Sequence, residues 1–100
     1  MRSPRILIVD DESSLRTALF RVLDRKGLSV VTANRVEEAK LLCHGDQTLD
    51  LALVDLNLPD GDGIELMSHL KTLHPSCEVI ILTGHATIES AIRATQKGAF

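Results

Sequence analysis

The sequence predicts an α/β fold in which a doubly wound parallel sheet is covered by helices on both faces. Four short aliphatic runs alternate with amphipathic stretches of helical period along the chain. These runs are almost continuously apolar, which is typical of parallel strands buried on both faces. The 100 residues suffice for one domain only.

Two strand–helix units are predicted in the first half of the chain. Residues 5–10 form the first strand, and the helix that follows has an apolar stripe made of Leu15, Ala18, Leu19, Val22 and Leu23. Gly27 ends that helix, in the usual position of a C-terminal glycine. Residues 28–33 form the second strand, and Asn34 is predicted to cap the second helix. The inner face of this second helix comprises Val36, Ala39, Leu42 and Cys43.

The second half repeats the pattern. Residues 50–55 form the third strand, and a loop through Gly63 leads to a third helix that ends at Pro75 and buries Ile64, Met67, Leu70 and Leu73. Residues 77–83 form the fourth strand. Thr87 is predicted to cap a fourth helix, which Gly98 stops.

Right-handed crossovers leave few topologies. The flavodoxin-like strand order 2-1-3-4, which we predict, puts the switch point between the first and third strands. Asp10 and Asp55 end these two strands. The topology therefore brings the two carboxylates to one crevice. Since the chain stops just past the predicted fourth helix, we expect a fragment, or a chain that completes its sheet with another copy.

Asp10, Asp11 and Asp55 would repel one another in that crevice unless a cation neutralised them. Mg²⁺ binds one or two carboxylates together with backbone oxygens and water, and leaves positions open for a phosphate. The alternative is that Asp10 and Asp11 only begin a helix, where acidic residues suit the helix dipole. The convergence with Asp55 favours the metal site.

Two further positions are candidates for the same site. Thr83 ends the fourth strand, where a hydroxyl could donate to a phosphoryl oxygen, and Gly84 leaves room beside it. The alternative for Thr83 is a β-branched strand residue that meets a turn. His85 lies close to Thr83, whereas we expect His44, His69 and His74 to be solvated, with no joint metal site.

Other site types are excluded. Gly61 and Gly63 belong to neither common glycine-rich phosphate-binding motif, and Asp60 occupies the position where a calcium-binding loop needs glycine. The net charge of −3 and the two phenylalanines, without Trp or Tyr, argue against nucleic-acid binding. We expect Cys43 and Cys77 to be buried free thiols of a cytoplasmic protein, with a disulfide as the alternative. No signal peptide or membrane-spanning run is predicted.

Three motifs resemble those of bacterial two-component response-regulator receiver domains, the CheY-like fold. They are Ile-Leu-Ile-Val-Asp-Asp-Glu at 6–12, Leu-Val-Asp-Leu-Asn-Leu-Pro-Asp-Gly-Asp-Gly at 53–63, and Ile-Ile-Leu-Thr-Gly-His at 80–85. Their order and spacing are highly specific, and the resemblance covers essentially residues 1–100. The stretch 82–100 is most similar to receivers of transcription activators that carry a central ATPase domain.

The resemblance implies that Asp55 accepts a phosphoryl group from a phosphohistidine on a sensor histidine kinase. It implies that Mg²⁺ is held by Asp10, Asp11, Asp55 and the backbone carbonyl of Asn57. Thr83 would be the switch hydroxyl that acts on an output domain of the same protein. Asn57, Gly84 and His85 match positions that tune the lifetime of the phosphoryl group.

This sequence departs from the family in lacking the fifth strand, with its lysine and aromatic switch residue, and the fifth helix. We therefore expect weakened phosphorylation, and a homodimer formed through the open sheet edge and the fourth-helix region. Two alternative functions stay open: an interaction module that is not phosphorylated, and an aspartate-nucleophile phosphohydrolase. The hydrolases carry an aspartate two residues after the nucleophile, where this chain has Asn57.

Overall fold

The computed structural model describes residues 4–45 and 47–82. Its main sheet has four parallel strands in the order β2-β1-β3-β6, which are β1 (Arg5–Val9), β2 (Ser29–Ala33), β3 (Leu51–Asp55) and β6 (Glu78–Leu82). This confirms the predicted order, since β6 is the fourth main strand. Two short antiparallel strands, β4 (Asn57–Leu58) and β5 (Gly61–Asp62), form a hairpin after β3.

Three helices connect these strands, α1 (Ser13–Arg25), α2 (Val36–Cys43) and α3 (Gly63–Leu73). α1 ends as predicted before Gly27, whose φ of 79° lies in the left-handed region that favours glycine. Thr83, Gly84, His85 and the predicted fourth helix lie outside the described residues. Among residues 4–45 and 47–82, we find no helix with the length and apolarity that a bilayer crossing requires.

The sheet buries apolar side chains on both faces, because successive residues of each strand point to opposite sides. In β1, Leu7 and Val9 belong to the larger core, which includes Ile64, Met67 and Leu70 of α3. Ile6 and Ile8 belong to a smaller core on the other face. The predicted covering of both faces is therefore confirmed.

The smaller core leaves much of α1 exposed, contrary to the predicted five-residue stripe. Leu19 and Leu23, one turn apart, pack against the sheet. Leu15 is 38% exposed and Val22 is 51% exposed, and Ala18 is exposed as well. Of the predicted stripe of α1, Leu19 and Leu23 therefore pack against the sheet, while the other three residues are exposed in the described structure.

α3 differs from the prediction at one end. Leu66, Met67 and Leu70 are fully buried, whereas Leu73, predicted to be buried, is 39% exposed. Leu73 is the last residue of α3, and the buried side chain at this end of the helix belongs to the next residue, His74. Leu66 is an additional core residue that the helical pattern had not indicated.

His74, predicted to be solvated, is instead 9% exposed. Its Nε2 donates to the backbone carbonyl of Cys43 at 2.8 Å, and its Nδ1 accepts from the Leu49 backbone N–H at 3.4 Å. The ring fills the space where α2 ends, α3 ends and β3 is about to begin. It is buried because it satisfies two backbone groups that would otherwise lack partners.

Cys43 and Cys77 are both buried free thiols, as predicted. Burial raises the pKa of the Cys43 thiol, and it raises the pKa of Cys77 to about 11. Both side chains therefore stay protonated at neutral pH and act as small apolar core residues. The alternative of a disulfide is wrong.

Candidate functional site

Three carboxylates meet at the carboxyl edge of the main sheet. Asp10 and Asp11 follow β1, and Asp55 is the last residue of β3, the neighbouring strand. One carboxylate oxygen from each of the three lies within 4.8 Å of the others. No other group of three or more His, Cys, Asp or Glu ligands comes together in this way within residues 4–45 and 47–82. The predicted convergence of the acids is therefore confirmed.

The sheet register explains the convergence. Val9 pairs with Val54, so the residues that follow them, Asp10 and Asp55, leave adjacent strands at the same level. The backbone N–H of Asp10 also donates to the carbonyl of Ala33 at 3.1 Å, which ties the end of β1 to β2. The position of Asp10 is thus set by strand pairing on both sides of β1.

Asp10 and Asp11 do not belong to the first turn of α1. That helix has Glu12 as its N-cap and contains no acidic residue in its first turn. The two aspartates therefore precede the helix and lie at the strand end. The alternative that they merely complement the helix dipole does not fit this geometry.

The three aspartates differ in their exposure to solvent. Asp10 is 3% exposed, Asp55 is half-buried and Asp11 is exposed. Burial raises the pKa of Asp10 above its ordinary value, and repulsion from the carboxylates of Asp55, Asp11 and Glu12 raises it further. The bond of 2.8 Å from the Glu12 backbone N–H to Asp10 Oδ1 acts in the opposite direction. The pocket thus concentrates negative charge that a cation would stabilise.

Donor chemistry at this edge fits a hard divalent cation. All three side chains offer oxygen, the ligand type of Mg²⁺, and their oxygens are close enough to share one ion. Among the described residues, Arg16 brings a positive charge near the site, since its guanidinium donates to the backbone carbonyl of Asp10 at 2.7 Å. That bond goes to the backbone and leaves the Asp10 carboxylate available as a ligand.

The loop after Asp55 is held tightly against it. The Asn57 backbone N–H donates to Asp55 Oδ1 at 3.2 Å, and the Gly63 N–H donates to the Leu56 carbonyl at 2.9 Å. A side chain at position 63 would overlap with the carbonyl oxygen of Asp55, so the close approach requires glycine. The hairpin therefore leaves Asp55 and returns to it within eight residues.

The described structure does not test the roles that the sequence predicts for several site residues. Asn57 is exposed and lies beside Asp55, but its carbonyl as a metal ligand stays a prediction. Thr83, the predicted switch hydroxyl, and the predicted tuning residues Gly84 and His85 lie outside the described residues. Their roles also stay predictions.

Asp60 has a structural role that the sequence analysis missed. Its Oδ1 accepts from the Val36 backbone N–H at 2.7 Å and its Oδ2 from the Glu37 N–H at 3.0 Å. It therefore caps α2 from the tip of the β4–β5 hairpin. The predicted cap, Asn34, is wrong: the N-cap residue is Arg35, which makes no side-chain cap bond. No local signal reveals such a cap, because its two halves are 23 or more residues apart.

The described histidines form no metal centre. The rings of His44 and His69 meet edge to face, with centroids 5.3 Å apart. Burial lowers the pKa of His69 below its ordinary value, and the charge of Lys40 lowers it further. No third ligand joins the pair among residues 4–45 and 47–82.

Comparison with known proteins identifies a matching family. Residues 6–100 match the family described as the response regulator receiver domain. The chain is 37% identical over 100 residues to the response regulator protein PilR of Pseudomonas aeruginosa, covering all of this chain and 22% of PilR. It is 38% identical over 95 residues to the DNA-binding transcriptional regulator NtrC of Escherichia coli K12, covering 95% of this chain and 20% of NtrC. The chain thus spans about a fifth of the length of these relatives.

Solved structures show the same fold. A response regulator protein from Burkholderia pseudomallei, with a phosphorylated aspartic acid, calcium ion and citrate, superposes with a TM-score of 0.90 at 33% identity, covering 97% of this chain and 56% of that one. The beryllofluoride-activated NtrC4 receiver domain dimer superposes with a TM-score of 0.82 at 33% identity, covering 95% and 78%. A CheY-like receiver domain protein from Methanospirillum hungatei gives 0.90 at 33%, covering 98% and 78%.

Proposed function

The chain belongs to the response regulator receiver domain family, and from that membership we propose that Asp55 is its phosphoacceptor. In this proposal Asp55 takes a phosphoryl group from a phosphohistidine of a sensor histidine kinase, and residues 1–100 act as one receiver domain. The observation that carries the proposal is the meeting of the Asp55 carboxylate with those of Asp10 and Asp11 within 4.8 Å at one sheet edge.

The exposure of the three acids fits different roles. Asp55 is half-buried, so a donor can reach it, while its bond from the Asn57 N–H restrains the orientation of its carboxylate. Asp10 is buried and fixed by the Glu12 N–H, which suits a permanent metal ligand. Asp11 is exposed and completes the acidic set. The nucleophile would be Asp55, and the ligands would be Asp10, Asp11, Asp55 and the Asn57 carbonyl.

Bound Mg²⁺ would supply positive charge to the phosphoryl oxygens as they approach the acids. The chain itself performs the displacement. A carboxylate oxygen of Asp55 attacks phosphorus in line, the new P–O bond forms as the P–N bond to the donor histidine breaks, and the electron pair leaves with the imidazole. The neighbouring acids would otherwise oppose the approach of an anion, which makes the cation a requirement of this site.

The roles that we propose after phosphoryl transfer are based on membership of the receiver family. Thr83 would act as the switch hydroxyl beside the new phosphoryl group, with Asn57, Gly84 and His85 tuning its lifetime. The modified aspartate carries extra negative charge, which can shift a two-state surface. We propose that this change acts on an output domain of the same protein that regulates transcription, as the name of NtrC, a DNA-binding transcriptional regulator, suggests.

We propose a cytoplasmic location and a role as an acceptor rather than a catalyst with turnover. Two buried free cysteines are compatible with a reducing compartment.

A homodimer is also proposed, since the NtrC4 receiver is described as a dimer, and β6 pairs only with β3 among residues 4–45 and 47–82. A monomeric sedimentation profile at micromolar concentration would contradict the dimer.

The decisive experiment incubates the chain with Mg²⁺ and acetyl phosphate and measures intact mass. Addition of one phosphoryl group, slowed by the absence of the family lysine, is expected to the same extent for the wild type and for Asp24→Asn, a control at an exposed position of α1. Asp55→Asn should not be modified. Mg²⁺ binding without modification would favour an interaction module, and sustained turnover of an added phosphoester would favour a phosphohydrolase.

A further inference from the structure

The tip of the β4–β5 hairpin is fastened to α2. Asp60 lies in the turn between the two strands, and its two carboxylate oxygens accept the Val36 and Glu37 N–H groups at 2.7 and 3.0 Å. These are charge-assisted bonds to backbone donors that have no intrahelical partner. Packing supports the same contact, because a Cβ at Gly61 would lie 3.1 Å from Val36 Cγ2.

α2 depends on this distant carboxylate. Its own N-cap residue, Arg35, provides no side-chain bond, and the Asn34 N–H is taken by Glu38 Oε1 at 2.9 Å. Among the described residues, Asp60 is thus the side chain that accepts from the first two amides of α2. The positive charge of Arg35 also attracts it. The contact therefore connects a helix terminus to the hairpin that follows Asp55.

The base of the hairpin is fixed independently. The Gly63 N–H donates to the Leu56 carbonyl at 2.9 Å, and Asp62 caps α3 by accepting the Ile64 N–H at 2.8 Å. Asn57 lies between this base and the tip, and its N–H contacts Asp55 Oδ1. Because hydrogen bonds restrain both the tip and the base of the hairpin, Asn57 is kept beside Asp55. If the bonds from Asp60 to α2 were lost, the base alone would restrain the hairpin.

We propose that Asp60 is a positioning residue for the Asp55 site. By binding the N-terminus of α2, it holds the hairpin so that Asn57 faces the acidic pocket where the cation and the phosphoryl group are handled. This inference rests on the proposed function of Asp55. The three pocket aspartates carry out the chemistry, and Asp60, which does not contact the pocket, supports their arrangement.

The test compares Asp60→Ala with Asp60→Asn in the full chain. Asparagine keeps one acceptor oxygen, whereas alanine keeps none. Mg²⁺ binding is followed by the backbone amide signals of Asp10 and Asp11, and phosphorylation by intact mass with acetyl phosphate. Asp60→Ala is expected to raise the half-saturating Mg²⁺ concentration by up to about tenfold, the lower end of the effect of losing a direct outer-shell partner, because Asp60 acts on the ligands only through the hairpin. Asp60→Asn should recover a substantial part of that loss, and Asp24→Asn should show none.

Hydrogen exchange separates a positioning role from a merely structural one. Faster exchange of the Val36 and Glu37 amides in Asp60→Asn would show that the tether is weakened in a folded domain. If Mg²⁺ half-saturation and phosphorylation rate then match the wild type, the proposal is wrong. Should Asp60→Ala fail to fold, this comparison in Asp60→Asn still decides.

The proposed function fails in a different way. A wild-type chain that binds Mg²⁺ but is not modified at Asp55 contradicts the phosphoacceptor role. The Mg²⁺ titration would nonetheless test whether Asp60 positions the hairpin, since that readout needs no phosphoryl transfer. A wild-type chain that shows no Mg²⁺ response at the Asp10 and Asp11 amides would overturn both proposals.

Discussion

Gly63 lies against the backbone of Asp55 so closely that a side chain at position 63 would overlap with the Asp55 carbonyl oxygen. The contact is to backbone, so no flexible side chain can move aside. We expect Gly63→Ala to lower the free energy of unfolding by about 2 kcal/mol, a typical result of inserting a methyl group into filled space. Denaturant unfolding measures this, and Mg²⁺ titration should show weaker binding because Asp55 must shift.

Gly45→Ala is the matched control for Gly63. A Cβ at Gly45 would lie 3.8 Å from the Leu42 carbonyl oxygen, an ordinary contact. Its free energy of unfolding should stay within about 0.5 kcal/mol of the wild type. Equal effects of the two substitutions would show that the approach of Gly63 to Asp55 is not what constrains this position.

His74 bridges the ends of α2 and α3 through its two ring nitrogens. Replacing it by Phe removes the donor to the Cys43 carbonyl and the acceptor for the Leu49 N–H, while most of the ring volume is kept. Because both backbone groups would be left buried and unpaired, we expect a loss of about 2–4 kcal/mol in the free energy of unfolding. Denaturant unfolding at neutral pH is the measurement.

His44→Gln provides the comparison for His74, since His44 is exposed. It should change the free energy of unfolding by less than about 0.5 kcal/mol. A small effect of His74→Phe, similar to that of His44→Gln, would mean that water or rearrangement satisfies the two backbone groups.

The fold was predictable because its signals are local or follow general topological rules. Aliphatic runs and helical stripes located four strands and three helices to within a few residues. Right-handed crossovers left few topologies, and the flavodoxin-like order among them is the one that the sheet has. The errors concern which apolar positions are covered. Val22 and Leu73 follow the helical period, but their exposure depends on how much of each helix the neighbouring elements reach.

The acidic site was predictable for the same reason, since Asp10 and Asp55 end strands that the topology makes neighbours. His74 and Asp60 were not. Each acts on backbone groups 23 or more residues away, and those groups become partners only once the helix ends and the hairpin tip are in place. Side chains that satisfy distant backbone groups carry no periodic pattern.

Asp60 makes the link between the hairpin and α2 sensitive to acid. The bond from the Glu37 N–H is the largest cause that lowers the pKa of Asp60 below its ordinary value of 3.8. A carboxylate with a lowered folded pKa contributes stability that is fully present above the unfolded pKa and is lost as pH falls through the folded one. The difference in unfolding free energy between wild type and Asp60→Asn should therefore be constant at neutral pH and shrink below about pH 4.

Denaturant unfolding across that pH range measures this difference, with Asp24→Asn correcting for the loss of one negative charge from an exposed position. A difference that stays constant down to the lowest pH at which the domain folds would show that the ionised carboxylate is not what binds the N-terminus of α2.

Neutralising Asp10 should stabilise the metal-free domain while abolishing its response to Mg²⁺. Burial raises the pKa of Asp10, and repulsion from Asp55 and Asp11 adds to this, so its charged form destabilises the folded state at neutral pH. Asn at position 10 keeps an oxygen that can accept the Glu12 N–H. We expect a metal-free gain of roughly 1 kcal/mol, the Coulomb energy of two like charges about 4 Å apart in water.

Thermal or denaturant unfolding with chelator and with millimolar Mg²⁺ separates the two effects of Asp10→Asn. A ligand that binds the folded state raises its stability, so the wild type should gain and the variant should not. Asp11→Asn, at the exposed position, should show a smaller metal-free gain because its charge is better solvated. If Asp10→Asn retains the full Mg²⁺ response, the buried carboxylate is not a ligand, and the cation must be held by Asp11 and Asp55 alone or elsewhere.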